Sequence, residues 1–215
     1  RNDYSGMKLE GPIYIYSEEK IKINGVNFGK NFYLIKDLYG TWTLVQKIEF
    51  DEYLAGVLPY EIGPNSPLEA LKAQAVIART WGIFNSDRFN MDKYHLCIST
   101  QCQVYKPPKN KNKNVQKAIK ATSNLILTYR NQPINAFYHG SNGGVSATAG
   151  ESWQIQDYSY TAQGISVHKL TLDTSSHNSS DKPQKESRSS YALARDQYGP
   201  ANRVLLAPEV IFRRC

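Results

Sequence analysis

Long apolar runs are missing from this 215-residue chain. None approaches the ~20 residues of a bilayer-crossing helix, so no transmembrane span is expected in it. Cysteine is scarce. The 3 cysteines exclude a disulfide scaffold, because Cys97 and Cys102 lie close together and Cys215 is the last residue, leaving at most one local pair. There is no pair of CxxC knuckles, no glycine-rich phosphate loop before a helix and no internal repeat. No Ser–His–Asp arrangement makes a hydrolase triad, and no second acidic residue stands at a recognisable spacing from Glu61 to complete a two-carboxylate hydrolase. The opening "RNDYSGMKLEG" lacks an initiating methionine and an apolar leader core, so any signal or anchor segment is expected upstream of residue 1.

What is present suits a buried core. Hydrophobic residues make up 40% and charged residues 21%, which argues against wholesale disorder. The 26 lysines and arginines against 19 acidic residues give a net charge of +7. That surplus favours anionic partners such as nucleic acid, an anionic wall polymer or headgroups, and it equally serves solubility.

Residues 12–57 read as β-rich: "PIYIYS", "KIKING", "NFYLIK" and "WTLVQKIEF" alternate apolar and polar residues between Gly or Asn turns. Asn24–Gly25 is a tight hairpin signal. "FDEYLAGVL" suggests one or two helical turns leading into a loop at Pro59 and Glu61. The clearest helix follows, with Ser66 as N-cap, Pro67 at the first position and Glu69 at capping-box spacing. Leu68, Leu71, Ala75 and Ala78 give it an apolar face, and it is expected to be the central packing element. A second helix is expected over Asn114–Thr122. "LILTYRNQPINAFYH" predicts a hairpin turning at Arg130–Gln132 and delivering His139 to the end of its second strand. From about Thr161 the composition turns to Ser, Asp and Lys without sustained period, which predicts a poorly ordered tail with a short helix near Tyr191–Asp196. The fold class is therefore α+β, with residues 1–160 as the domain and 161–215 as a divergent tail.

Four stretches could carry chemistry. Glu61, just before a well-capped helix, is either a rigidly held general acid or a solvated loop charge. "HLCISTQC" offers His95, Cys97 and Cys102 as zinc ligands, or a local disulfide, or two buried thiols. "YHGSNGG" presents His139 and exposed backbone N–H groups that can grip a polar ligand or metal, or is simply a turn. "KPPKNKNKNVQKAIK" holds six lysines between Lys106 and Lys120, without the interleaved aromatics of a nucleic-acid module, and reads as a solvated stretch.

In chain order, "FDEYLAGVLPYEI", "PLEALKAQAVIARTW", "CISTQCQVYKP" and "NLILTYRNQPINAFYHGSNGG" resemble the stage II sporulation protein D family, or SpoIID/LytB domain. The likeness runs over roughly residues 45–153, and the helix motif is its most specific part. The resemblance implies a lytic transglycosylase acting on peptide-stripped peptidoglycan glycan strands, with Glu61 as single acid/base. It implies substrate contacts at Gln103, Tyr105, His139, Ser141, Gly143 and Gly144. It also implies zinc on Cys97, Cys102 and His139, with His95 as alternative ligand. The LytB side of the family implies instead a non-catalytic wall-binding or amidase-modifying protein. Either role implies an extracytoplasmic location, glycan strands as partner, a wall amidase or other wall hydrolase as a further partner, and no nucleic acid. Two departures stand out. The cysteine spacing is one residue shorter than the family form, and of the family's C-terminal His-Gly-x-Gly-Met-Ser-Gln-Tyr-Gly-Ala motif only "DQYGP", Asp196 to Pro200, remains. The part beyond Trp153 is therefore expected to be degenerate, replaced or read from another frame.

Overall fold

The computed structural model describes residues 11–37, 39–108, 111–140, 166–169 and 203–207. The β-rich start forms as the alternation requires. Strands β1 (Ile13–Tyr16), β4 (Asn31–Lys36) and β5 (Trp42–Glu49) pair antiparallel, with Ile15 opposite Phe32 and Leu34 opposite Leu44. Between them β2 (Lys22–Ile23) and β3 (Val26–Asn27) make a small hairpin. Its turn is Asn24–Gly25, both at positive φ (48° and 81°), the twist a two-residue hairpin needs.

Helix α1 (Phe50–Glu61) follows β5 directly and corrects the sequence reading twice. It is a 12-residue helix instead of one or two turns, and it runs through Pro59 so that Glu61 is its last residue instead of part of a loop. Six consecutive residues, Tyr53 to Leu58, are buried. A helix covered all round belongs in the centre of a fold. Helix α1 therefore shares the central position expected of α2 (Leu68–Phe84) alone.

The start of α2 is also built differently from the expected capping box. Pro67 is the capping residue and makes no side-chain cap. The Ser66 hydroxyl donates backwards to the Ile62 carbonyl at 2.7 Å, closing the end of α1, and Glu69 pairs with Lys72 at 2.7 Å. Along α2, Leu71, Ala75 and Ala78 are fully buried, and the two alanines let neighbours approach closely. Helix α3 (Lys113–Ala121) carries the expected second helix, capped by the Asn112 side chain, which accepts from the N–H groups of Asn114 and Val115 at 3.0 Å. Arg79 of α2 is buried and donates to the carbonyls of Thr122 (2.8 Å) and Leu125 (3.1 Å). A cation is thus placed at the C-terminal end of α3, where free carbonyls collect.

Beyond α3, β7 (Leu125–Tyr129) and β8 (Gln132–Pro133) form the expected hairpin around Arg130 and Asn131. The second strand is only two residues long, so His139 lies in the irregular segment past its end. Two further strands come from beyond Thr161. Strand β9 (Ser166–Lys169) pairs with β7, giving a sheet of order β8-β7-β9. Strand β10 (Arg203–Ala207) enters the large sheet between β5 and the short β6 (Leu96–Cys97), antiparallel to the first and parallel to the second. The large sheet has the order β1-β4-β5-β10-β6. The core joins Phe28, Phe32 and Ile48 of the sheet region to the apolar faces of α1, α2 and α3. Among the described residues no helix is long and apolar enough to cross a membrane. The expected helix near Tyr191–Asp196 lies outside the described residues.

Candidate active site

Glu61 is half-buried at the end of α1, and its Oε1 accepts the backbone N–H of Val104 at 2.8 Å. The segment that supplies this N–H is itself pinned. Tyr105 N–H donates to the Ile98 carbonyl (3.1 Å) and Lys106 N–H to the Gly56 carbonyl of α1 (3.2 Å). The backbone can come this close because position 56 is glycine. A Cβ there would strike the Tyr105 ring and stand 2.7 Å from the Lys106 carbonyl oxygen.

Behind Glu61 runs a buried chain of polar groups. The Tyr53 hydroxyl donates to Gln103 Oε1 at 2.8 Å, and Gln103 Nε2 donates to the Tyr138 hydroxyl at 3.2 Å. Tyr138 lies near Glu61, close enough to feel its charge. Burial, followed by the nearby charge of Glu61, pushes the Tyr138 phenol up from its ordinary range, so it stays protonated as a donor. Burial likewise raises Tyr53 well above its ordinary range, with the charge of Glu61 adding to it. A fully connected network of this kind holds its members in one arrangement.

Two expected substrate residues turn inward. Gln103 is 1% exposed with both ends of its amide engaged, and Tyr105 is 2% exposed and stacks on Tyr53 with ring centroids 5.8 Å apart. Neither offers a surface to a glycan; they hold the wall behind Glu61. His139 is exposed, next to Tyr138. Ser141, Gly143 and Gly144 lie outside the described residues. Tyr53 and Tyr138 were missed by the sequence reading, although both stand inside the quoted motifs "DEYLAGVL" and "AFYH". A tyrosine within an apolar run reads as core, and nothing local marks its hydroxyl as bonded.

Cys97 and Cys102 share one turn. Cys97 N–H donates to the Cys102 sulfur at 3.1 Å, and the Cys97 sulfur lies 3.5 Å from the Ser99 hydroxyl. The two neighbouring thiols shift each other, Cys102 pushing Cys97 down and Cys97 pushing Cys102 up. Both cysteines are free. His95 is half-buried, and burial, then the charge of Lys47, pushes its pKa down to about 4. Among the described residues no three of His, Cys, Asp and Glu gather as a metal cluster. Cys97 and Cys102 alone supply two of the four ligands that structural zinc takes, so these residues do not by themselves complete a zinc site.

A family model described as stage II sporulation protein matches residues 39–129. Among curated relatives, the chain is 33% identical over 124 residues to stage II sporulation protein D of Bacillus subtilis, covering 51% of this chain and 36% of that protein. It is 38% identical over 100 residues to the amidase enhancer of Bacillus subtilis, covering 46% of this chain and 13% of that one. An uncharacterized protein of Brachyspira hyodysenteriae is 29% identical over 145 residues, 67% of this chain and 39% of its own length. The chain thus spans well under half the length of these relatives.

Proposed function

Residues 39–129 belong to the stage II sporulation protein D family, and from that premise we propose that the protein is a peptidoglycan lytic transglycosylase with Glu61 as its single acid/base. The supporting observation is the hold on Glu61: one carboxylate oxygen is fixed by the Val104 N–H, and the Tyr53–Gln103–Tyr138 chain stands behind it. A carboxyl group kept in one orientation can serve two successive proton transfers. As the acid, Glu61 gives its proton to the glycosidic oxygen while the bond from that oxygen to the muramoyl C1 breaks. As the carboxylate, it takes the proton of the C6 hydroxyl while that oxygen bonds to C1. The products are a free hydroxyl end and a 1,6-anhydro-muramoyl end. No water is consumed, so a second catalytic carboxylate is not required.

His139, Ser141, Gly143 and Gly144 belong to the proposal as glycan contacts. So does an extracytoplasmic location, which the net charge of +7 suits through attraction to an anionic wall. One zinc ion on Cys97 and Cys102 is included too, supported by two thiols on one turn, with further ligands from His139, His95 or residues outside those described. Metal analysis should find zinc in the wild-type protein and less in Cys97→Ser; a zinc-free wild-type removes the metal from the proposal.

The deciding assay incubates the protein with peptide-free glycan strands and analyses the ends. Wild-type should yield anhydro-muramoyl ends, and Glu61→Gln should lose about a hundredfold or more in rate, the usual scale for a general acid. Equal activity in Glu61→Gln overturns the assignment. The amidase-enhancer relative favours a second reading, a non-catalytic protein that binds wall and stimulates an amidase. Glycan binding without cleavage, together with faster release of peptides by an added wall amidase, would select it.

A further inference from the structure

Two side chains next to Glu61 take no part in holding it. Tyr60, the residue before it in α1, is 45% exposed, and Lys106, two residues beyond Val104, is exposed as well. They meet each other: Lys106 Nζ stands 4.9 Å from the centroid of the Tyr60 ring. The backbone under both is fixed. Tyr60 belongs to α1, and the Lys106 N–H donates to the Gly56 carbonyl of that helix at 3.2 Å, directly after Tyr105 has turned inward onto Tyr53. At most about 7 Å of chain separates Lys106 from Val104, whose N–H holds Glu61. Among the described residues the ion pairs are Lys72–Glu69 and Arg79–Asp51, so no described carboxylate, Glu61 included, pairs with Lys106.

A lysine ammonium has three donors and accepts nothing, and a ring face leaves donors over for a further partner. A cation–π contact this exposed adds little stability. Its effect is to choose where the ammonium stands: beside Glu61, instead of spread over the rotamers of a free lysine. A cation held at the edge of a site selects an anion. Which anion follows from the proposed reading of Glu61, on which this inference rests. On that reading the sugar that offers C1 and the C6 hydroxyl to Glu61 is muramoyl, and the same ring carries a lactyl ether at C3. With the peptide attached, that lactyl group ends in a neutral amide; with the peptide gone, it ends in a carboxylate. We infer that Lys106, held by Tyr60, is a carboxylate subsite for the free lactyl group of the sugar at Glu61. Lys106 is thereby the residue that favours peptide-free strands, and Tyr60 is a positioning residue that acts through it.

The test uses calorimetry on the full chain carrying Glu61→Gln, so that no strand is cut. One ligand is a soluble peptide-free tetrasaccharide of alternating N-acetylglucosamine and N-acetylmuramic acid. The other is the same tetrasaccharide with its lactyl carboxylates converted to methyl amides. The free acid should bind at least fivefold tighter than the amide. Adding Lys106→Met should erase that preference by weakening the acid alone, and Lys106→Arg should keep most of it. Tyr60→Leu should cut the preference at least twofold, while Tyr60→Phe, which keeps the ring, leaves it in place. The amide serves as the folding control, because a disturbed fold would weaken both ligands together and leave their ratio unchanged. No binding of either ligand, equal binding of acid and amide, or a preference that survives Lys106→Met overturns the subsite. A preference that follows Lys106 when wild-type makes no anhydro ends sustains the subsite while the transglycosylase reading falls. Anhydro ends formed equally fast from acid and amide strands leave that reading standing and remove the subsite.

Discussion

Tyr138 shows how much a single hydroxyl carries. It accepts from the Gln103 amide and lies near the Glu61 charge, so its removal breaks the polar chain beside the acid/base. Tyr138→Phe keeps the ring and its packing. Losing one such hydrogen bond should cost about 1 kcal/mol in denaturant unfolding, and cleavage should slow about tenfold, equivalent to 1.4 kcal/mol, with KM unchanged. Unaltered turnover would show that Glu61 is held by Val104 alone. His95 makes a pH prediction. Its folded pKa of about 4 is below the ordinary 6.5, because burial and then Lys47 disfavour the imidazolium. Between those values the unfolded chain binds a proton that the folded chain refuses, so stability falls as pH drops from 6.5 toward 4. Above 6.5 this residue contributes no pH dependence. Melting curves across that window should steepen for wild-type relative to His95→Phe; matching slopes would count against it.

Helix α1 and the segment after β6 are the elements that build the site, and Gly56 sets their separation. In Gly56→Ala the added methyl meets the Tyr105 ring and the Lys106 carbonyl. Overpacking of this kind costs about 1–3 kcal/mol. The displaced segment also carries Val104, so activity should fall by more than the lost stability explains, read as turnover at a temperature where the variant remains folded. A stability loss with full turnover would mean that Val104 does not position Glu61. At this scale the sequence was legible where the signal is local. The Asn24–Gly25 hairpin, the Leu68–Phe84 helix and the Arg130–Asn131 turn stand where neighbouring residues required them. It was less legible at α1, because Pro59 reads as a helix stop. The helix continues there because six buried residues in the preceding turns hold it against the core.

Across the whole molecule, the large sheet is completed from far along the chain. Strand β10 joins β5 to β6, so the domain drawn at residues 1–160 leaves out one strand of its main sheet. Ending the chain after residue 160 should expose the backbone edges of β5 and β6, lower the melting temperature and raise light scattering on heating. A truncated chain that melts like the full one would show that β10 adds nothing to stability. The sequence by itself determined the local elements, the family motifs and Glu61 as the residue to watch, because turns, helix periods and motif strings are set by residues a few positions apart. Only the tertiary structure decided the surroundings of Glu61. The contacts from Val104 to Glu61, Gln103 to Tyr138 and Tyr53 to Gln103 join residues 43, 35 and 50 positions apart. No local pattern reports such contacts; they exist because burial brings distant polar groups together and charges a high cost for leaving any of them unpaired.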